Sequence, residues 1–79
     1  MDLVFAAIDI GSNSTNLLIV DQSGQTLERI VRSTRLGANV ATTGALSAES
    51  MQRTLKCLSE YESLIKQHKV SRRQTVATA

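Results

Sequence analysis

An α/β fold built on a small mixed sheet is what this sequence predicts, and three observations predict it. Short apolar runs bounded by turn residues fill the first half, one stretch of helical periodicity follows, and a β-rich segment comes last. The order is β-β-β-α-β, with no internal repeat. A strand, a helix and a returning parallel strand make a right-handed crossover, which sets the fourth strand beside the first.

Val4 to Ile10 is apolar except for Asp9, and its length suits a buried central strand. Gly11-Ser12-Asn13-Ser14 breaks the run with turn formers, and Asn16 to Val20 resumes it, so the two strands form a hairpin. Asp21-Gln22-Ser23-Gly24 is a second turn. Thr26 to Arg35 alternates Ile30 and Val31 with Glu28, Arg29 and Arg32, the pattern of a more exposed strand. Leu36 to Ala45, with Gly37, Asn39, Thr42, Thr43 and Gly44, lacks periodicity and is expected to be a loop. Ser47 is a good N-cap, and Glu49 sets a negative charge in the first turn. Met51, Leu55, Leu58, Tyr61 or Glu62, and Ile65 recur at helical spacing, and the helix is expected to stop near Gln67 or His68. Thr75 to Ala79 reads as the fourth strand, with the chain stopping inside it.

The 79 residues allow one small domain. With one Phe, one Tyr and no Trp, its core must be made of Leu, Ile, Val and Ala. A chain of this size buries only roughly 60% of its unfolded surface. The single Cys57 provides neither a disulfide nor a metal cluster; it points to a reducing compartment and to a packing role on the helix. No stretch approaches the roughly 20 apolar residues that span a bilayer, and the opening residues lack a signal core, so a cytoplasmic location is expected. A net charge of +2, without an aromatic platform or basic helix, argues against nucleic acid. Arg29, Arg32, Arg35, Arg72 and Arg73 bias the surface toward anions, or are simply solvated. His68, beside Lys69 at the helix end, reads as a cap facing the negative pole of the helix.

The chemistry concentrates in Asp9-Ile10-Gly11-Ser12-Asn13-Ser14. A carboxylate at the end of a buried strand, followed by glycine and small polar residues, sets an acid beside backbone N–H groups that can turn toward an anion. Gly11 admits close approach, Ser12 and Ser14 offer hydroxyls, and Asp9 can hold a hydrated magnesium ion near phosphate oxygens. The same residues also suit an ordinary hairpin turn held by Asp9 and Asn13.

The stretch Ala7-Ile8-Asp9-Ile10-Gly11-Ser12-Asn13-Ser14-Thr15-Asn16-Leu17-Leu18-Ile19 resembles the opening of the exopolyphosphatase and guanosine-pentaphosphate phosphohydrolase family. Thr34-Arg35-Leu36-Gly37 is similar to its Arg-Leu-Gly turn. Leu46-Ser47-Ala48-Glu49 with Arg53-Thr54-Leu55 is similar to its first helix, and Val76-Ala77-Thr78-Ala79 to its next strand. The resemblance implies a ribonuclease-H-like fold of the superfamily that includes actin, sugar kinases and heat-shock chaperones. Two lobes of that fold pinch phosphates between two Asp-Gly loops. Kinases and chaperone ATPases follow the aspartate and glycine with a Thr-rich turn, whereas Ser12-Asn13-Ser14 resembles the phosphohydrolase form.

The resemblance further implies a magnesium-dependent hydrolase that releases orthophosphate from polyphosphate or guanosine pentaphosphate. Asp9 would be an indirect metal ligand, and Gly11, Ser12, Asn13 and Ser14 the phosphate cradle, with Arg35 and Thr78 as further phosphate contacts. The family's catalytic glutamate and second phosphate loop come after its Val-Ala-Thr segment. Residues 1–79 are therefore expected to be an amino-terminal piece of the first lobe, without a catalytic residue and without turnover of its own. Glu49, Glu60 and Glu62 lie on the expected helix, in cap or surface roles. The alternative is a phosphate-binding or assembly module whose open strand edge is completed by another chain or a second copy, a homo-oligomer.

Overall fold

A computed structural model describes residues 3–78; Met1, Asp2 and Ala79, the last of the expected fourth strand, lie outside the described residues. The elements are β1 (Val4–Ile10), β2 (Ser14–Asp21), β3 (Thr26–Ser33), a single-turn helix α1 (Val40–Thr43), the long helix α2 (Ala48–Gln67) and β4 (Arg72–Ala77). The sheet order is β3-β2-β1-β4. The β1–β2 and β2–β3 pairs are antiparallel, and β4 returns parallel to β1, as the crossover rule requires.

β1 is central, yet it is buried on one face only. Ala6 and Ile8 are enclosed while Ala7 and Asp9 are exposed, because α2 covers one side of the sheet. The core is Ala6, Ile8, Leu17 and Ile19 from the sheet against Cys57, Tyr61 and Ile65 from the helix, ringed by Val4, Ile10, Ile30 and Leu58. Leu18, Val31 and Val76 stand exposed on the opposite face. Cys57 is packed in the core, as expected.

The buried face of α2 is rotated from the one that hydrophobicity marks. Leu55 is 64% exposed and Met51 41%, whereas Ser50, Thr54, Cys57, Tyr61 and Ile65 face inward. Counting back from Tyr61 at helical spacing reaches Cys57, Thr54 and Ser50. The first half of the helix overlies a turn rather than a hydrophobic sheet, so small hydroxyl residues fill that side. Ser47 caps the helix by accepting from the Ser50 N–H at 3.0 Å, and Glu49 occupies the first turn.

Several boundaries differ from the sequence reading. β2 starts at Ser14 rather than Asn16, and β3 ends at Ser33, leaving Thr34 and Arg35 in the following turn. The expected loop contains α1, framed by Asn39 and Gly44, both with positive φ. β4 starts at Arg72, three residues before the expected Thr75, since an edge strand tolerates polar side chains. Arg73 there pairs with Glu62, and Arg32 of β3 pairs with Glu60. Both arginines are thus largely taken up by helix carboxylates, which fill the surface roles expected of them. His68 is the C-cap of α2, and its Nε2 also meets Glu28 Oε1 at 3.1 Å.

The β2–β3 turn is closed by Asp21, whose Oδ1 accepts from Ser23 Oγ at 2.6 Å and from the Ser23 and Gln25 N–H groups. The Ser23 hydroxyl, ahead of the backbone donors, holds this carboxyl below its ordinary range. That contribution is complete at neutral pH and fades only as pH falls through the carboxylate range and below.

Tyr61 ties the helix to the sheet by donating from its hydroxyl to Thr15 O at 2.6 Å. Burial, then the neighbouring Cys57, drives its ionisation well above the ordinary phenol range. The neutral phenol is therefore favoured by folding, and its contribution is full below about pH 10 and is lost as pH rises. Tyr61→Phe should lower stability by about 1–3 kcal/mol in urea unfolding, the cost of an orphaned buried carbonyl. In the native chain the only tyrosine should ionise far later than in urea, where an absorbance titration should return it to about 10.

Candidate functional site

The site grows from the break between β1 and β2. The Gly11 N–H donates to Ser14 O at 2.9 Å and closes the turn. A Cβ at position 11 would meet Ser14 O at 3.3 Å and Thr78 Oγ1 at 3.7 Å, so glycine keeps this approach clear. The next two carbonyls are committed to the turn after β3. Arg35 N–H donates to Asn13 O at 3.0 Å, and Gly37 N–H donates to Ser12 O at 2.9 Å. The contact is tight: a Cβ on Gly37 would lie 3.1 Å from Ser12 Cβ.

With these carbonyls held at the back, the exposed Ser12 and Asn13 have amide N–H groups with no protein acceptor among the described residues. Adjacent unpaired N–H groups in a turn make an anion-binding concavity. Ser14, expected in the cradle, is the first residue of β2 and half-buried.

Asp9 and Thr78 meet at the mouth. The parallel pairing of β4 with β1 brings them together from 69 positions apart, and Thr78 Oγ1 donates to Asp9 Oδ1 at 3.2 Å. Thr78 N–H also donates to Ile10 O at 2.8 Å. A cleft of about 420 Å³ opens beside the loop, with Gly11, Ser12 and Thr78 on its polar side and Leu36 and Val40 on its apolar side. Arg35 reaches the loop through its backbone, and its guanidinium is exposed and pairs with no carboxylate among the described residues.

The donors at the mouth are oxygens. Asp9 is the cross-strand partner of Asn16, whose Oδ1 is enclosed without a hydrogen-bond partner on the same sheet face. No group of three or more His, Cys, Asp or Glu side chains gathers among the described residues. One exposed carboxylate and an orphaned amide oxygen fit a hard cation that keeps most of its waters, and do not fit a zinc-type cage.

A network that sequence reasoning missed holds the loop from behind. Thr15 Oγ1 and Thr34 Oγ1 lie 2.7 Å apart and fully enclosed. Arg53 of α2 donates from Nε to Thr34 O at 3.0 Å and from Nη2 to Arg35 O at 3.3 Å and Ser50 Oγ at 3.1 Å. Arg53 reaches the turn through backbone carbonyls, which leave no mark on composition or periodicity.

The Ppx/GppA phosphatase family model matches residues 17–79. The chain belongs to that family. A Ppx/GppA family member from Aquifex aeolicus superposes with a TM-score of 0.91 at 36% identity, over 98% of this chain and 26% of its own. Another Aquifex aeolicus structure, of a PPX-GPPA enzyme, matches at 0.88 and 38% identity over 100% of this chain and 27% of its own, so the loop lies within the likeness. An exopolyphosphatase from Cytophaga hutchinsonii matches at 0.86 and 27% identity, over 94% of this chain and 25% of its own. The chain thus spans about a quarter of the length of these Ppx/GppA relatives. The β3-β2-β1-β4 sheet with its crossover helix is the ribonuclease-H-like arrangement of the Ppx/GppA fold.

The Thr15–Thr34 pair predicts a non-additive double-mutant cycle. Thr15→Val or Thr34→Val alone should cost about 1–3 kcal/mol by leaving a buried hydroxyl unpaired. Denaturant unfolding of the double variant should show a loss well below the sum of the two.

Proposed function

We propose that this chain forms the first phosphate-binding loop and part of the first lobe of a phosphoanhydride hydrolase. The parent enzyme releases terminal orthophosphate from inorganic polyphosphate or guanosine pentaphosphate. The observation that carries this reading is the orientation of the Gly11–Ser14 loop, with the Ser12 and Asn13 carbonyls tied to the Thr34–Gly37 turn and the Ser12 and Asn13 amides without a protein acceptor among the described residues. Family membership supports the reaction class, and the Cytophaga hutchinsonii relative is an exopolyphosphatase.

In this reading the free amides and the Ser12 hydroxyl bind the oxygens of a terminal phosphate, with Gly11 letting the backbone come close. Ser14 fixes the far side of the loop. Arg35 extends toward the next phosphate, and Thr78 orients the Asp9 carboxylate. Asp9, with Asn16 beside it, would hold a hydrated magnesium ion, which supplies charge neutralisation to the phosphates when bound. The water-activating carboxylate is not among Glu49, Glu60 and Glu62. The last two are engaged by Arg32 and Arg73 on the helix surface, and Glu49 sits in the first turn of α2.

A second reading has one observation in its favour. All six residues of β4 are exposed and its outer edge is unpaired among the described residues, while Leu18, Val31 and Val76 lie open on the uncovered face. These are the marks of a module completed by another chain or a second copy.

Titration of the labelled chain with inorganic tripolyphosphate and magnesium should shift the amide resonances of Gly11, Ser12 and Asn13 first. Asp9→Asn should weaken the magnesium-dependent part by about tenfold. Shifts confined to Arg72 and Arg73 would mean loose electrostatic attraction and defeat the cradle. The isolated chain should release no phosphate from either substrate; magnesium-dependent release would show that a catalytic base lies within it. Sedimentation across concentration separates the second reading, which requires a dimer.

A further inference from the structure

We propose that Arg53 is a positioning residue, a clamp on α2 that sets the direction of the Asn13 amide at the mouth of the loop. This rests on the phosphate-binding reading for its consequence, but not for its geometry. Arg35 adopts φ 52°, the left-handed region that a non-glycine residue holds only when its surroundings fix it there. Its surroundings do so on both sides. The Arg35 N–H is bonded to Asn13 O, and the carbonyls of Thr34 and Arg35 are both captured by the guanidinium of Arg53.

The same guanidinium is anchored to its own helix by Ser50 Oγ, and that hydroxyl also meets the N-cap Ser47 Oγ at 2.8 Å. The clamp is therefore mounted on the capped first turns of α2, where Ser47 also accepts from the Ser50 N–H. From the clamped turn, Gly37 N–H grips Ser12 O. In a planar trans peptide the carbonyl of Ser12 and the N–H of Asn13 point in opposite directions. Holding Ser12 O against the turn thus aims the Asn13 N–H outward, where an anion would meet it. Arg53 acts through two intervening backbone groups and touches no ligand position; its planar fork, rather than its charge, is what the two carbonyls require.

The experiment compares Arg53→Ala, Arg53→Lys and, as a charge control, Lys56→Ala, an exposed lysine three residues after Arg53 on α2. Two readouts are taken on each: the affinity for inorganic tripolyphosphate with magnesium, and the hydrogen-exchange rates of the Arg35 and Gly37 amides. Both Arg53 variants should lose about tenfold in affinity as the loop must be ordered on binding. Their Arg35 and Gly37 amides should exchange faster, while Lys56→Ala changes neither readout. Full recovery of affinity in Arg53→Lys would overturn the clamp in favour of simple charge, as would weakened binding with unchanged exchange. Should Arg53→Ala not fold, Arg53→Lys carries the same comparison. If the unmodified chain does not bind tripolyphosphate at all, the phosphate reading falls, and the exchange rates alone decide the clamp.

Discussion

Two hydroxyls closed off from water, Thr15 and Thr34, face each other at 2.7 Å, and the loop at the end of β1 takes its shape from that contact. Thr15 follows the loop directly at the start of β2, and Thr34 begins the turn that follows β3. Neither hydroxyl has water to fall back on, so separating them would leave two buried polar groups unsatisfied. The pair therefore fixes the spacing at which the Arg35 and Gly37 amides reach the Asn13 and Ser12 carbonyls. Tyr61 adds a third polar tie from the opposite layer, through the carbonyl of Thr15 itself.

Helix α2 serves two tasks along its length. Its second half, with Tyr61 and Ile65, closes a small aliphatic core in which the largest side chain is the tyrosine. Its first half carries Ser50, Arg53 and Thr54 and braces a turn instead of filling a void. A core this thin gains from such polar bracing, because each satisfied buried bond also excludes alternative registers. The charges on the solvent side follow the same economy, since Arg32–Glu60 and Arg73–Glu62 each join a strand to the helix.

Much of the fold was legible because local signals agreed with the global topology. The apolar runs, the turn formers after Ile10 and Asp21, and the Ser47 cap all pointed to one arrangement, and the parallel return of β4 followed from chirality. Of the periodic helix positions, Tyr61 and Ile65 enter the core and Leu58 packs against it, whereas Leu55 and Met51 stay outside although more hydrophobic than Ser50 and Thr54, because packing there selects for size and hydrogen bonding. β4 was read short because Arg72, Arg73 and Gln74 look like loop residues, and only pairing with β1 reveals them as a strand. At the candidate site, the Asp9 to Ser14 stretch stood out as a motif, and the crossover set the fourth strand beside the first, but the bond from Thr78 to Asp9 is visible only in the structure. Asn16 and Arg53 did not stand out: one is marked by an unpaired atom, the other by backbone acceptors, and neither leaves a trace in residue type.

The mouth of the loop joins parts of unequal persistence. Gly11 to Asn13 sits between the two inner strands of a local hairpin, whereas Thr78 belongs to an edge strand that pairs on one side and buries none of its residues. Bringing Thr78 to Asp9 closes a long span of chain and carries the loop-closure entropy of that span, while the hairpin forms from near neighbours. Opening of β4 alone would then release one wall of the cleft and leave the amide cradle standing. The cradle thus rests on ties to the hairpin, the turn after β3 and α2, whereas the Thr78 contact at its mouth hangs on the pairing of β4 alone.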